Sequence, residues 1–270
     1  MESATGIAST QTDRKRELVA HGDVRIDVIA EGTGSLVVLL PSRGRDSEDY
    51  DEVAWEIAKA GYRVLRPQPR GTCRSTGPMK GLTLHDFARD VAAVIEHAGR
   101  GPAVVVGHAF GNWIARMTAA DHPRLVRGVA ILAAAAKTYP QSLAEAVTRI
   151  ADLALPDAER LKYLSATFFA PGHDASVWLE GWYPEVNASQ RAAGLATRQD
   201  EWWGAGSAPL LDLQAALDPF KPRETTNELK DEFGERVTVA VIPDASHALI
   251  PEQPGAVVAA IVGWMRKLLP

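Results

Sequence analysis

The chain of 270 residues has a single cysteine, Cys73. No disulfide can form within it, so a reducing compartment, the cytoplasm, is expected. No apolar run approaches the roughly 18 residues of a membrane span. Met1 to Lys15 is rich in Ser, Thr and Ala and lacks the apolar stretch of a signal peptide, so residues 1–15 are expected to form a disordered tail. There is no excess of positive charge either. The net charge of −5 gives nucleic acid or an anionic membrane nothing to be drawn to, and neither is expected as a partner. Metal and phosphate signatures are also missing. There is no H-E-x-x-H, no C-x-x-C and no acidic or histidine cluster at ligand spacing, and the glycines between Gly71 and Lys80 lack Walker spacing. No metal or cofactor is expected, and the oligomeric state is left open.

What is present is a large apolar fraction, 46% of residues, enough for a sizeable core. Val24 to Ile29 alternates polar and apolar, as a half-exposed strand does. Leu36 to Leu40 and Val104 to Val106 are continuous apolar runs, as expected of strands covered on both faces. Helical spacing over Asp46 to Ala60 ends at Gly61, and Thr83 with Asp86 opens a helix through Ala98. Further strands are expected at Tyr62 to Leu65, Val126 to Leu132, Leu210 to Leu213 and Val237 to Val241. Helices are expected from Phe110 to about Asp121, around Thr225 to Phe233, and from about Pro254 to Leu269. Such alternation implies a mostly parallel sheet with crossover helices. It stops between Tyr139 and about Gly206, where the pattern is helical and broken by Pro156, Pro171 and Pro184.

After the central strand comes Gly107-His108-Ala109-Phe110-Gly111, which has the frame of the nucleophile elbow G-x-S-x-G with alanine at the apex. Pro243-Asp244-Ala245-Ser246-His247 follows the last strand, and Asp218 follows Leu210 to Leu213. On these motifs, residues 16 to 270 resemble the α/β-hydrolase superfamily. The resemblance implies an α/β fold, a mostly parallel sheet flanked by helices. Residues 16–136 and 207–270 would form the core and 137–206 a helical cap. It assigns Ala109 to the nucleophile position, Asp218 to the acid and His247 to the base, with Asp212 and Asp244 as less favoured acids. The backbone amides of Arg43 and Phe110 would form the oxyanion hole. Pro41-Ser42-Arg43-Gly44-Arg45 replaces the usual His-Gly opening of that loop. Its arginines either meet an anionic substrate or are solvated. Gln68-Pro69-Arg70-Gly71-Thr72-Cys73-Arg74-Ser75 resembles the family's D-x-R-G-x-G-x-S turn, with Cys73 in place of a glycine and expected as a small packed residue.

His108 and the aromatics Trp178, Trp182, Tyr183, Trp202 and Trp203 are candidates for substrate binding in an apolar pocket, though some aromatics must glue cap to core. The implied activity is hydrolysis of a small, apolar or aromatic ester or lactone. Alanine has no oxygen to attack a carbonyl. Either Ala109 replaces the serine of a parent hydrolase, or it is natural. In the second case the chain acts through His247 and Asp218 as a general base, in the manner of lyases and cofactor-free oxygenases, or binds a small molecule.

Overall fold

The computed structural model describes residues 14–268. Eight strands form one sheet: β1 (Lys15–His21), β2 (Val24–Gly32), β3 (Ser35–Leu40), β4 (Tyr62–Pro67), β5 (Ala103–His108), β6 (Val126–Leu132), β7 (Leu210–Ala215) and β8 (Val237–Ile242). Their order across the sheet is β1-β2-β4-β3-β5-β6-β7-β8. β2 runs antiparallel to both β1 and β4, and every other neighbouring pair is parallel.

The crossovers are α1 (Asp51–Lys59), α2 (Leu84–Ala98) and α3 (Phe110–Asp121). Between β6 and β7 lie α4 (Gln141–Ile150), α5 (Asp157–Thr167), α6 (Pro184–Ala196) and α7 (Gln199–Trp202). The chain closes with α8 (Glu228–Phe233), α9 (Leu249–Glu252) and α10 (Pro254–Leu268).

The apolar runs work as strands covered on both faces. In β5, Val105 packs with Phe87, Val91 and Ile114 of α2 and α3. Its neighbours Val104 and Val106 pack with Ile57, Val257 and Ile261 of α1 and α10. At the start of α2 the Asp86 carboxylate accepts the Thr83 backbone N–H at 2.9 Å, and Gly99 in the left-handed region closes the helix.

Several expectations are corrected here. Lys15 opens β1 instead of ending a tail, and the other residues of that segment apart from Arg14 lie outside the described residues. β2 is not half-exposed. Its Asp27 is fully buried because Arg16 and Arg74 each donate to its carboxylate at 2.7 Å. The segment from Asp46 splits into a 3₁₀ turn, Ser47–Tyr50, followed by α1. The helical segment is divided at its prolines as expected: Pro156 and Pro184 stand at the starts of α5 and α6, as suits a residue with no N–H to leave unpaired, and Pro171 follows α5.

Among the described residues no helix is long and apolar enough to cross a membrane.

Candidate active site

The end of β5 and the start of α3 form a tight elbow with Ala109 at its apex, at φ 48° and ψ −115°. Only a close-packed turn keeps a non-glycine residue there. The Ala109 N–H is anchored on the Leu132 carbonyl at 2.9 Å. Both flanking glycines are sterically required. A β-carbon on Gly107 would lie 2.2 Å from the Gly111 carbonyl oxygen, and one on Gly111 would lie 2.5 Å from that of Leu40. The elbow is thus pressed against the loop that leaves β3.

Asp218, just past β7, is buried, and its Oδ1 accepts the Phe220 N–H at 2.8 Å. Its Oδ2 lies 2.9 Å from Nδ1 of His247 in the loop after β8. An ionised carboxylate fixes the ring proton on Nδ1 and leaves Nε2 as the basic nitrogen. No group among the described residues bonds to that Nε2. Two rings hold the imidazole in place: Phe220 lies over it at 4.1 Å between centroids, and Phe168 meets it edge-on at 4.9 Å. The neighbouring Ala248 N–H donates to the Phe168 carbonyl at 2.7 Å, tying this loop to the segment after α5.

Ala109, Phe110 and His247 line one small cavity of about 50 Å³, together with Ser42 and Arg43. Its remaining walls are mostly apolar, with Trp113, Tyr139, Val147, Phe168 and Phe220 among them. None of these wall residues is expected from the sequence alone. Trp113 sits one helical turn after Ala109, a spacing that could have found it. Phe220 lies two residues past the acid. Tyr139 and Phe168 carried no local signal.

His108 lies beneath the site and does not line the cavity. It is 1% exposed, its Nδ1 lies 3.1 Å from the Tyr50 hydroxyl and its Nε2 lies 2.7 Å from the His247 carbonyl. Tyr50 in turn accepts the Ser42 N–H at 2.9 Å. These bonds are all satisfied by a neutral ring with its proton on Nε2. Burial, with His247 nearby, pushes the His108 pKa down to about 3. The buried pair Tyr50 and His108 therefore links the loop after β3 to the backbone of His247.

The aromatics expected to bind substrate also face elsewhere. Trp178 and Trp182 sandwich the Arg45 guanidinium, at 4.7 and 4.8 Å, and the Trp182 indole N–H donates to the Trp178 carbonyl. Tyr183 donates its hydroxyl proton to Asp46 at 2.8 Å. Trp202 stacks on Trp113 at 4.9 Å, behind the wall. Trp203 donates to Glu232 at 2.8 Å. Each has a partner that turns it away from the cavity.

Neither loop arginine is simply solvated. Arg45 is buried, bonded to Asp49 and to the Glu180 carbonyl, and is not part of the cavity wall. Arg43 does line the cavity, and its side chain reaches the helical insertion. Gly44 is held there as well. Its N–H donates to Gln190 at 2.7 Å and its carbonyl accepts the Tyr183 N–H at 2.8 Å.

In the turn after β4, Arg70 makes two bonds to Asp90 at 2.7 and 2.8 Å. Cys73 is exposed and not packed, and its φ of 49° occupies a backbone region that favours the glycine it replaces. Although the residue is exposed, partial screening of its sulfur from water raises its pKa, which does not favour a reactive thiolate. Asp212 is fully buried beside Gln214 and Lys221, and burial raises its pKa. Asp244 bonds Gln253 through its carbonyl. Among the described residues no three His, Cys, Asp or Glu side chains converge in a way that could hold a metal.

A family model for the alpha/beta hydrolase fold matches residues 35–171. The 2-(acetamidomethylene)succinate hydrolase of Mesorhizobium japonicum is 29% identical over 129 residues, 48% of this chain and 45% of that protein. The match therefore spans less than half of that relative's length. A Variovorax paradoxus protein provisionally named carbamate hydrolase RutD is 27% identical over 236 residues, 82% of this chain and 88% of its own. Among solved structures, an E-2-(acetamidomethylene)succinate hydrolase superposes with a TM-score of 0.78 at 18% identity, covering 94% of this chain and 99% of its own. An esterase from Thermogutta terrifontis, with malate bound, superposes with a TM-score of 0.75 at 23% identity, covering 95% and 99%. At these identities the structural likeness is one of fold.

Proposed function

Because this chain belongs to the α/β-hydrolase family, whose matched relatives include hydrolases, we propose that the cavity over Ala109 is the substrate site of a serine-type hydrolase whose nucleophile position is filled by alanine. The substrate is a small ester or lactone with an apolar or aromatic part, and residues 137–206 act as the cap over it. The single cysteine agrees with a cytoplasmic setting.

One observation carries the reading. His247, paired with Asp218 at 2.9 Å, lines the same cavity as a strained elbow whose apex side chain is a methyl group. A serine at 109 would place Oγ at the apex. Nε2 of His247 would take its proton as Oγ attacks the carbonyl and then return it to the departing alkoxide. Asp218 would steady the imidazolium. The amides of Arg43 and Phe110 would receive the oxyanion. Water would then release the acyl group by the same proton path. With alanine no acyl-enzyme forms, and loss of such a nucleophile removes on the order of 10⁶ in kcat.

A second reading rests on the unpartnered Nε2 of His247. As the chain stands, that nitrogen is a base at an apolar cavity and can accept a proton from a bound carbon acid or water.

The test is the Ala109→Ser variant beside the parent chain, with aryl esters, lactones and a neutral organophosphate. Labelling and turnover confined to the serine form support the hydrolase reading, and Asp218→Asn in that background should then lower kcat by about 10⁴. A serine form that neither labels nor turns over, beside an alanine form that converts a small molecule, replaces it with the general-base reading.

A further inference from the structure

We propose that the substrate carries a carboxylate, held by the guanidinium of Arg43 at the cap side of the cavity. This rests on the reading of that cavity as a hydrolase's substrate site. Arg43 Nε donates to Asn187 Oδ1 at 2.9 Å and Nη2 to the Ala144 carbonyl at 3.3 Å. A guanidinium has five N–H donors. The other three, two on Nη1 and one on Nη2, have no acceptor among the described residues.

Arg43 is half-buried, and three buried arginines elsewhere are paired directly with acids. Arg66 has Glu31 at 2.9 Å, Arg70 has Asp90 at 2.7 Å and Arg45 has Asp49 at 2.7 Å. Arg116 lies against two tryptophan rings in the field of Asp212 and Glu228. Arg43 has no acidic neighbour of this kind. The titratable groups that face it are the neutral Tyr139 phenol and a second cation, Arg191, which is exposed on α6. Burial and Arg191 together push the Arg43 pKa down to about 10, as befits a positive charge with no counter-ion.

A positive charge among apolar walls, with donors in a planar fork, suits a carboxylate in both charge and shape. The Tyr139 hydroxyl has no hydrogen bond among the described residues and lines the same cavity, so it offers a further donor. If, as proposed above, the same residue offers its backbone N–H to the reacting carbonyl, the carboxylate would sit only a few atoms from the scissile bond. A half-ester of a short dicarboxylic acid has this form.

The chain as it stands permits a direct test, since alanine leaves a bound ester intact. Binding of monomethyl succinate and its uncharged analogue dimethyl succinate is measured by calorimetry at low ionic strength. The monoacid should bind at least about tenfold tighter, a difference of about 1.4 kcal/mol. Arg43→Met should bring the two within twofold, and Arg43→Lys should keep part of the preference. If Arg43→Met fails to fold, Arg43→Gln takes its place, and the preference of the parent chain should shrink as salt is raised. Equal binding of both ligands, binding of neither, or a preference that survives loss of the guanidinium overturns the proposal. A separate arm distinguishes it from the reading it rests on. If Ala109→Ser is labelled by a neutral organophosphate but cleaves 4-nitrophenyl hydrogen succinate no better than its methyl ester, only the carboxylate is refuted. If the serine form is not labelled while the parent keeps its monoacid preference, the hydrolase reading fails and the anion site stands.

Discussion

Replacing Gly111 with alanine tests whether the elbow is held by contact with the loop after β3. The new β-carbon would lie 2.5 Å from the Leu40 carbonyl oxygen, 2.7 Å from that of Pro41 and 2.9 Å from the Leu40 carbonyl carbon. These are backbone atoms of a central strand end and cannot rotate away. Overpacking of this kind costs about 1–3 kcal/mol. The substitution also removes a glycine from a helix, which alone stabilises by roughly 0.5–1 kcal/mol. Three backbone contacts under 3 Å put the clash at the top of that range, about 3 kcal/mol, so it outweighs the propensity gain and leaves a net loss of about 2 kcal/mol. In a chain of 270 residues that lowers Tm by roughly 5 °C. Gly263→Ala is the matched control. Gly263 is exposed on α10, and a β-carbon there meets nothing within 4 Å. It should raise stability by about 0.4–1 kcal/mol. Urea midpoints and calorimetric melts of the two variants and the parent read both effects. The steric account is wrong if Gly111→Ala melts at or above the parent, or if the two variants lose stability equally.

Two further outcomes follow from the same packing. His108 has its pKa lowered on folding, to about 3, so the unfolded chain binds more protons between its own pKa near 6.5 and that value. Its contribution to stability is therefore present above about pH 6.5 and is lost as pH falls towards 3, with a slope of up to about 1.4 kcal/mol per pH unit. Urea titrations of the parent and His108→Gln across pH 7 to 4 should diverge in slope, and parallel curves would refute a buried neutral imidazole. Trp202→Ala should cost about 3–5 kcal/mol of stability, because the ring is a buried stack on Trp113 and not a pocket wall. An unchanged melt with weakened ligand binding would return Trp202 to the pocket.

The sheet was legible because its strands are apolar runs bounded by glycine and proline, as in Val104 to Val106. β1 was not. Its seven residues run three charges into three apolar residues at an exposed edge, without the alternation of a half-buried strand or the length of a covered one. β2 misled for a related reason. Asp27 marks a solvent face only if nothing neutralises it, and its partners Arg16 and Arg74 lie 11 and 47 residues away. The chain order of Ala109, Asp218 and His247 could be read directly, because each follows a strand end. The cavity wall could not. Trp178, Trp182, Trp202 and Trp203 have the same composition as Trp113, Phe168 and Phe220, and only tertiary packing decides which rings face the cavity. Arg43 was ambiguous for the same reason, since the absence of an acid beside it is a fact of three dimensions.

The fastening of the loop after β3 to α6 also bears on the order in which the chain matures. Its bonds, from Gly44 to Gln190, Arg43 to Asn187 and Asp46 to Tyr183, close loops of 146, 144 and 137 residues. Contacts of such separation form only after the intervening chain has been placed. β3, β5 and the glycine-packed elbow can assemble early, while Arg43 and its neighbours still wait for the segment that will hold them. During synthesis from the N-terminus, the turn that would receive the oxyanion emerges among the first elements and acquires its final shape among the last.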